Sequence, residues 1–371
     1  MNSEPYGVIL AGAVDEVRHA YDAFARQPVD WDLTAEPPDP PDMRQVTIGR
    51  PVQVAGPGTF FGREHRTLTF EPTPLEGWWF DRVDQPDALP IKVSVRNVWT
   101  TIRNIVLRSG SPHNYMRMVE HIIALRLGLG IDNLMIKADA GDPPLFDRGS
   151  IDLVEALAGA GTEAAAAPVV YVTVKEPVTM GGANGSFVTL LPARGKTFHL
   201  QMDCAVDFPN VMGKQRVRFN LNRRRFGYGA LARTNTTAAM KWYAQTAGKL
   251  FADIRNLGYT DKNILIAGRR RYVNEPLLMH DGKSLEAVWH RALLDLLAAL
   301  ALIDEGRFVG GVLSYKAGHT LDVEMVRVLS KYNLLQTVKY ADDNNRIAGI
   351  PPEADSPMAK KPALHSDSTN R

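Results

Sequence analysis

Hydrophobic positions along this chain follow two periods, one typical of helices and one typical of strands. Val14, Val17, Tyr21 and Phe24 recur every three to four residues, which predicts an amphipathic helix near the N-terminus. Runs rich in β-branched residues predict strands, and the run 169–174 is the clearest of them. The further predicted helices cover about 115–127, 150–158, 238–257 and 284–303. The further predicted strands cover about 45–54, 66–70, 92–98, 133–138, 186–191, 198–206, 215–220, 264–267 and 309–314.

The predicted elements form two halves of similar order, in which strands are followed by helices. This order predicts an α+β fold. The Ala/Gly-rich stretch 158–167 is predicted to be a loop. We expect an N-terminal helix and Pro-rich linker, a first domain, a second domain and a disordered polar tail. These cover 1–43, 44–180, 181–345 and 346–371, respectively.

Composition narrows the possible functions. The chain has 371 residues, of which 45% are hydrophobic, so it is long enough for two domains with their own cores. The net charge of +2 gives no overall basic field for nucleic acid, and the Arg clusters at 223–226 and 269–272 are more typical of solvated faces. The single cysteine, Cys204, excludes an internal disulfide and a cysteine-based zinc site. A metal here would therefore be held by histidine and carboxylate side chains.

The ends of the chain and its apolar runs bear on localisation. The short apolar stretch 8–14 has no basic region before it, so it is not typical of a signal peptide. No run of about 18 apolar residues is present, so no membrane span is predicted and any membrane contact is expected to be peripheral. We expect a cytoplasmic protein.

The dipeptide Glu120–His121 is the first candidate for chemistry. It lies at the start of an apolar helix, which a turn containing Gly128 and Gly130 joins to a β-branched strand. A carboxylate beside an imidazole can place a general base and a metal ligand in one pocket. The alternative, for an isolated pair of this kind, is a surface glutamate next to a histidine with an ordinary structural role.

A second run supports the catalytic interpretation. The segment 310–319 ends in Tyr315-Lys316-Ala317-Gly318-His319 and follows a long apolar helix that carries His290. Together with the Val-Glu-His and Gly-Leu-Gly-Ile-Asp-Asn runs, it resembles the zinc-dependent deacetylases that act on UDP-3-O-acyl-N-acetylglucosamine in lipid A synthesis. The resemblance covers about residues 45–329. Other blocks in the order of that family are 56–58 with Gly62, 144–147 with 149–150, 207–209 with Gln215, 232–234 and 272–275.

The resemblance implies a fold and a set of roles. The fold would be two similar α/β sandwich domains with the active site between them and a hinge near 181–185. A zinc ion would be held by two histidines and one aspartate, and the substrate would be a UDP-linked acylated amino sugar. The implied roles are as follows: His121, His290 and Asp295 as zinc ligands, Glu120 as general base, His319 as the cationic acid, Thr234 as support for the oxyanion, and Arg291 and Lys316 as contacts to the diphosphate.

The long helix departs from the family pattern. The family has the histidine and aspartate ligands four residues apart, whereas His290 and Asp295 are five apart and Leu294 lies at the expected ligand position. On a regular α-helix a spacing of five separates two side chains by roughly 140°. A π-bulge could restore a common face. Alternatively, Asp295 pairs with Arg291, or Arg291 replaces the histidine and no usable metal site remains. We expect the π-bulge.

Further departures leave other functions open. The stretch 296–300 lacks the second aspartate with which the family holds its cationic histidine, so His319 is expected to lose an anchor. Asn235 replaces a phenylalanine of the family, and the loop 58–62 lacks its histidine. A diverged paralogue that binds a sugar nucleotide or lipid with weak or no catalysis is therefore one alternative. A scaffold that works through the N-terminal helix is another.

Overall fold

Two large β-sheets and their helices share one continuous hydrophobic core. The structure is a computed structural model that describes residues 5–59, 64–194, 198–245 and 259–338. The α+β fold expected from the order of the elements is confirmed. In the described part of the chain, no helix has the length and apolar character needed to cross a membrane.

The first large sheet has five strands in the order β4-β5-β11-β6-β7. Its central strand β11 runs parallel to β6 and antiparallel to β5. Alternate residues of β6 and β11 are buried, which is the pattern of a sheet with one face on the core. The strands are β4 (Val52–Pro57), β5 (His65–Glu71), β6 (Trp78–Arg82), β7 (Ile91–Lys92) and β11 (Leu134–Ala138).

The second large sheet has seven strands in the order β1-β14-β15-β23-β16-β17-β2. The strands β15 and β16, on either side of the central strand β23, are buried along almost their whole length, because side chains cover both of their faces. The two edge strands, β1 and β2, come from the N-terminal segment. The strands are β1 (Val8–Ala11), β2 (Trp31–Leu33), β14 (Val178–Gly182), β15 (Ser186–Leu191), β16 (Leu200–Asp207), β17 (Lys214–Asn220) and β23 (Gly310–Tyr315).

Five smaller sheets contain the other strands of the described residues. They pair β9 with β10 and β8, β3 with β12, β13 with β22 and β24, β18 with β19, and β20 with β21. Their bounds are β3 (Arg44–Ile48), β8 (Val98–Thr100), β9 (Val106–Arg108), β10 (Tyr115–Met116), β12 (Thr162–Pro168), β13 (Tyr171–Val174), β18 (Thr234–Thr237), β19 (Ile264–Ala267), β20 (Met279–His280), β21 (Lys283–Ser284), β22 (Arg307–Phe308) and β24 (Leu335–Val338).

The helices join the two large sheets. A long helix consists of α6, a π-helical segment (Arg291–Leu296) and α7, and α2 packs against its π-helical and C-terminal parts. Gly130 ends α2 in the left-handed conformation, with a φ of 67°, which glycine adopts without strain. The α-helices are α1 (Val14–Arg26), α2 (Glu120–Leu129), α3 (Ile151–Ala160), α4 (Arg223–Gly229), α5 (Ala238–Gln245), α6 (Glu286–His290), α7 (Leu297–Leu300) and α8 (His319–Lys331).

Several sequence predictions need correction. The stretch 158–167, predicted to be a loop, contains most of β12, because its backbone pairs with β3. The helix predicted from residue 115 begins only at Glu120, because Tyr115 and Met116 pair with β9 and Met118 has a positive φ. The expected hinge at 181–185 is instead the connection of the hairpin β14–β15. Of the predicted helix 238–257, residues 246–257 lie outside the described part of the chain, as does the predicted disordered tail 346–371.

Close packing at Gly128 generates a test of the helix arrangement. A Cβ atom added to Gly128 would lie 2.2 Å from Cδ2 of Phe226, so Gly128→Ala should force α2 and α4 apart. Overpacking of this kind costs about 1–3 kcal/mol. We expect a lower free energy of unfolding, measured in urea.

Gly159→Ala is the matched control, because Gly159 lies in α3 and a Cβ atom there would meet nothing within 4 Å. Replacing this glycine should leave stability unchanged or raise it by up to about 1 kcal/mol. Equal effects of the two substitutions would contradict the described packing of α2 on α4.

Candidate active site

The hydroxyl of Thr234 lies between two imidazoles. Its Oγ1 is 3.1 Å from Nε2 of His121 and 3.2 Å from Nε2 of His290. The centroids of the two rings are 5.2 Å apart. Thr234 begins β18, His121 is the second residue of α2 and His290 ends α6. Three elements that are distant in the sequence therefore meet at this point.

A buried ion pair holds Thr234 in this place. The guanidinium of Arg233 donates from Nε to Oε1 of Glu286 at 2.7 Å and from Nη2 to Oε2 at 3.1 Å. The backbone N–H of Arg233 donates to the same carboxylate, which is fully buried. Because Glu286 begins α6, the pair ties the start of β18 to the helix that carries His290. The sequence shows Arg233 within the block 232–234 but does not reveal its role, since its partner is 53 residues away.

The second nitrogen of His121 also has a polar neighbour. Its Nδ1 is 3.3 Å from the hydroxyl of Ser150, the residue before α3. Burial lowers the pKa of His121, and the adjacent His290 lowers it further, to about 3. The imidazole of His121 is therefore neutral at neutral pH, and neutral imidazole is the form that binds a metal ion.

The π-helical segment brings His290 and Asp295 together. A π-helix closes its hydrogen bonds between residues five apart, so these two side chains lie one turn apart on the same face. Nδ1 of His290 is 3.4 Å from Oδ1 of Asp295. The predicted π-bulge is confirmed. Leu294, at the position where the family has its ligand, is fully buried in the core.

The alternative pairing of Asp295 with Arg291 is wrong, because Arg291 has another partner. Its Nη2 donates to Oδ1 of Asp322 at 2.6 Å and to Oγ of Ser314 at 3.1 Å. Arg291 is only 5% exposed and Asp322 only 1%. The guanidinium therefore faces the interior, between the π-helical segment, β23 and α8. This position gives no support to the expected contact of Arg291 with a diphosphate.

Asp295 also contacts His319, the first residue of α8. Oδ1 of Asp295 is 3.5 Å from Nε2 of His319. Burial opposes the charge on each group, but the imidazoles of His319 and His290 hold the pKa of Asp295 below its usual value. The negative charges of Asp295 and Glu120 likewise raise the pKa of His319, against the effect of burial. The expectation that His319 would lack a carboxylate anchor is therefore wrong, because Asp295 supplies it.

Glu120 is a buried carboxylate at the start of α2. Its Oε2 accepts a hydrogen bond from the backbone N–H of Ile105 at 3.0 Å. Burial raises its pKa, although the positive charge on His319 opposes this. A raised pKa brings a carboxylate closer to the range in which it can accept and release a proton at neutral pH.

Lys316, for which the resemblance implies a contact with the diphosphate, lies between Tyr315 and His319 in the sequence. Its side chain is exposed, and Nζ donates to the carbonyl oxygen of Asn184 at 2.9 Å. Its backbone adopts a positive φ of 53°, which is unusual for a residue with a side chain. A contact of Lys316 with the diphosphate stays a prediction.

An apolar recess adjoins the two groups at the start of α2 and β18, His121 and Thr234. The sequence alone does not reveal this recess, because the apolar residues that line it cannot be distinguished there from core residues. The apolar side chains that line it include those of Leu68, Met118, Ile122, Leu145, Phe146 and Leu153.

The donor atoms fit a zinc ion in type and partly in arrangement. Two imidazole nitrogens face one point, and Oδ1 of Asp295 is buried without a hydrogen bond of normal geometry. Histidine and aspartate are the ligands that remain for zinc when cysteine is absent. Asp295, however, lies beside Nδ1 of His290 rather than Nε2, and the described residues include no group of three or more His, Cys, Asp or Glu arranged to hold a metal ion.

The fold and the site together are those of a protein with groups for acid–base catalysis. An α+β protein with a buried carboxylate, two neighbouring imidazoles and a histidine of raised pKa has the acid–base groups that amide hydrolysis requires. Residues 45–331 match the family model of UDP-3-O-acyl N-acetylglycosamine deacetylase. The chain belongs to this family.

Individual relatives agree with the family model. The chain is 29% identical to a UDP-3-O-acyl-N-acetylglucosamine deacetylase of Trichormus variabilis, over 78% of this chain and 100% of the relative. It is 26% identical to the protein of that name from Legionella pneumophila, over 84% of this chain and 98% of the relative. The corresponding protein of a Geobacter species is 28% identical, over 83% of this chain and 97% of its own length.

Proposed function

We propose that this protein is a zinc-dependent deacetylase that removes acetate from a UDP-linked 3-O-acyl-N-acetylglucosamine in lipid A biosynthesis. In this reaction water adds to the amide carbonyl, the C–N bond breaks, and acetate and a free amine are released. The observation that carries the proposal is the meeting of His121, His290, Asp295 and His319 at one partly buried site, which Thr234 joins. Membership of the deacetylase family supports the substrate class.

His121 and His290 would hold the zinc ion. Both rings direct Nε2 to the hydroxyl of Thr234, and the lowered pKa of His121 keeps its ring neutral, so that one of its two nitrogens carries no proton. A bound zinc ion would activate water and polarise the amide carbonyl. Asp295 stays a predicted third ligand. Its Oδ1 has no hydrogen bond and lies beside Nδ1 of His290, whereas the zinc ion would bind at Nε2 of that ring.

Glu120 and His319 would divide the proton transfers. The raised pKa of Glu120 suits it to take a proton from water, and the raised pKa of His319 favours its protonated form, which can donate to the leaving amine. Asp295 would keep His319 charged and oriented, as a carboxylate does for a catalytic imidazole. The hydroxyl of Thr234 would donate a hydrogen bond to the oxyanion.

Substrate groups would be divided between two surfaces. The apolar recess beside His121 and Thr234 suits part of the acyl chain. The exposed ammonium of Lys316, three residues before His319, suits the diphosphate. For Arg291 we propose a structural role instead, because its guanidinium is buried against Asp322 and Ser314.

The base assignment is tested with Glu120→Gln, which keeps the size of the side chain. We expect acetate release from UDP-3-O-acyl-N-acetylglucosamine to fall by about 10²–10⁴-fold, because general-base catalysis contributes that much. Zinc content, measured by elemental analysis, should stay at the wild-type level. Product formation is followed as free amine by mass spectrometry.

Glu324→Gln is the control, since Glu324 lies in α8 and pairs with the exposed Arg327 at 2.7 Å. This variant should keep wild-type activity. Loss of zinc together with activity in Glu120→Gln would make Glu120 a metal ligand. A wild-type protein that binds the sugar nucleotide but releases no acetate would favour the diverged paralogue.

The role of Asp295 is tested with Asp295→Asn, with zinc affinity and kcat as separate measurements. The carboxylate lies beside one proposed ligand and the proposed acid, so both quantities should fall, each by at least about 10-fold. Asp281→Asn, at an exposed turn, should change neither. Unaltered zinc binding in Asp295→Asn with loss of activity alone would restrict Asp295 to orienting His319.

A further inference from the structure

The N-terminal segment is built into the second large sheet. It precedes residue 45, where the match to the deacetylase family begins. Its strands β1 and β2 pair with β14 and β17 and so form the two edges of the seven-stranded sheet. Between these edges α1 packs against β15 and β23. The segment therefore crosses one face of the sheet and closes both of its edges.

Phe24 of α1 lies at the centre of the contact with this face. Its ring is 5.4 Å from that of Phe187 and 6.0 Å from that of Tyr315, in both cases edge to face. Ala20 and Ala205 complete this cluster, which is separate from the main core. Aromatic pairs of this geometry favour one relative orientation of their rings. Phe24 thus couples the position of α1 to that of Tyr315.

The C-terminal end of α1 is also held by the guanidinium of Arg216. Nη1 of Arg216 donates to the carbonyl oxygens of Phe24 and Gln27 at 2.7 and 2.8 Å. The same guanidinium lies 3.9 Å from the centre of the Phe24 ring and donates twice to the carboxylate of Asp203, each time at 2.8 Å. Both charged groups are largely buried. Arg216 therefore fixes the position of Phe24 on the sheet, in addition to the apolar contact of its ring.

Tyr315 connects this contact to the active site. It is the last residue of β23, and Ser314 before it points to the opposite face, where its hydroxyl accepts a hydrogen bond from Arg291. The end of β23 is therefore held from both sides, by α1 through Tyr315 and by the π-helical segment through Ser314.

Only a short, restrained segment separates Tyr315 from His319. Lys316 has a positive φ, its backbone N–H donates to the carbonyl oxygen of Ala205 at 3.1 Å, and Gly318 caps the start of α8. A residue with a side chain keeps a positive φ only where its surroundings enforce it. A displacement of Tyr315 would therefore be passed on to His319.

We propose that α1 is a positioning element of the active site, in which Phe24 acts through Tyr315 to set the place of His319. The effect on turnover rests on the proposed function, in which His319 donates the proton to the leaving amine. Phe24 and Tyr315 are positioning residues and touch no reacting atom.

The experiment compares Phe24→Ala with Phe24→Leu and Val17→Ala in the full-length protein. Val17 is a buried residue of the same helix, but it packs over Gly181 of β14 instead of Tyr315. We expect Phe24→Ala to lower kcat by about 10- to 100-fold with little change in KM, as for a catalytic group displaced by about 1 Å. Phe24→Leu should restore part of this loss, and Val17→Ala should keep wild-type kcat.

Amide hydrogen exchange of residues 315–322 gives a second readout that needs no activity. It should become faster in Phe24→Ala than in the wild type or in Val17→Ala. Equal kcat losses and equal exchange in Phe24→Ala and Val17→Ala would overturn the proposal and leave α1 a general stabilising cover. If the wild type lacks deacetylase activity, the proposed function fails, whereas the exchange comparison still decides whether α1 restrains this segment.

Discussion

The π-helical segment 291–296 is the constraint on which the site depends. It places one more residue in a turn than a regular α-helix would, so His290 and Asp295 face the same way although they are five residues apart. Arg291, the residue after His290, donates instead to Asp322 and Ser314. The π-helical segment therefore contributes polar side chains to the site. It also contributes Arg291 to a buried ion pair with Asp322. Leu294, which lies at the position where the family has its ligand, is fully buried in the core instead.

Two buried ion pairs give this arrangement its rigidity. Arg233 with Glu286 joins β18 to α6, and Arg291 with Asp322 joins the π-helical segment to α8. Removing one member of such a pair leaves a buried charge without a partner, which typically costs about 3–5 kcal/mol. Each pair therefore strongly favours the arrangement in which its two charged groups stay in contact. They hold the elements that carry Thr234, His290 and His319 in one relation to each other.

Local signals predicted the parts of this structure that local interactions determine. The spacing of Val14, Val17, Tyr21 and Phe24 predicted α1. The five-residue spacing of His290 and Asp295, compared with four residues in the family that the sequence resembles, predicted the π-helical turn. The stretch 158–167 was mistaken for a loop because alanine has a low strand propensity, which pairing with β3 overrides. The anchoring of His319 by Asp295 and the partner of Arg291 were also missed. Such contacts join residues 24 and 31 positions apart, and no local pattern records them.

The most direct test of this account is diffraction from crystals grown with zinc and measured at the zinc absorption edge. The account predicts one anomalous peak per chain, about 2.0–2.1 Å from a ring nitrogen of each of His121 and His290. The π-helical turn should persist in the same crystals, with Asp295 still beside His290 and His319. A site without zinc, a zinc ion bound elsewhere, or a regular α-helix that turns Asp295 away from His290 would contradict it.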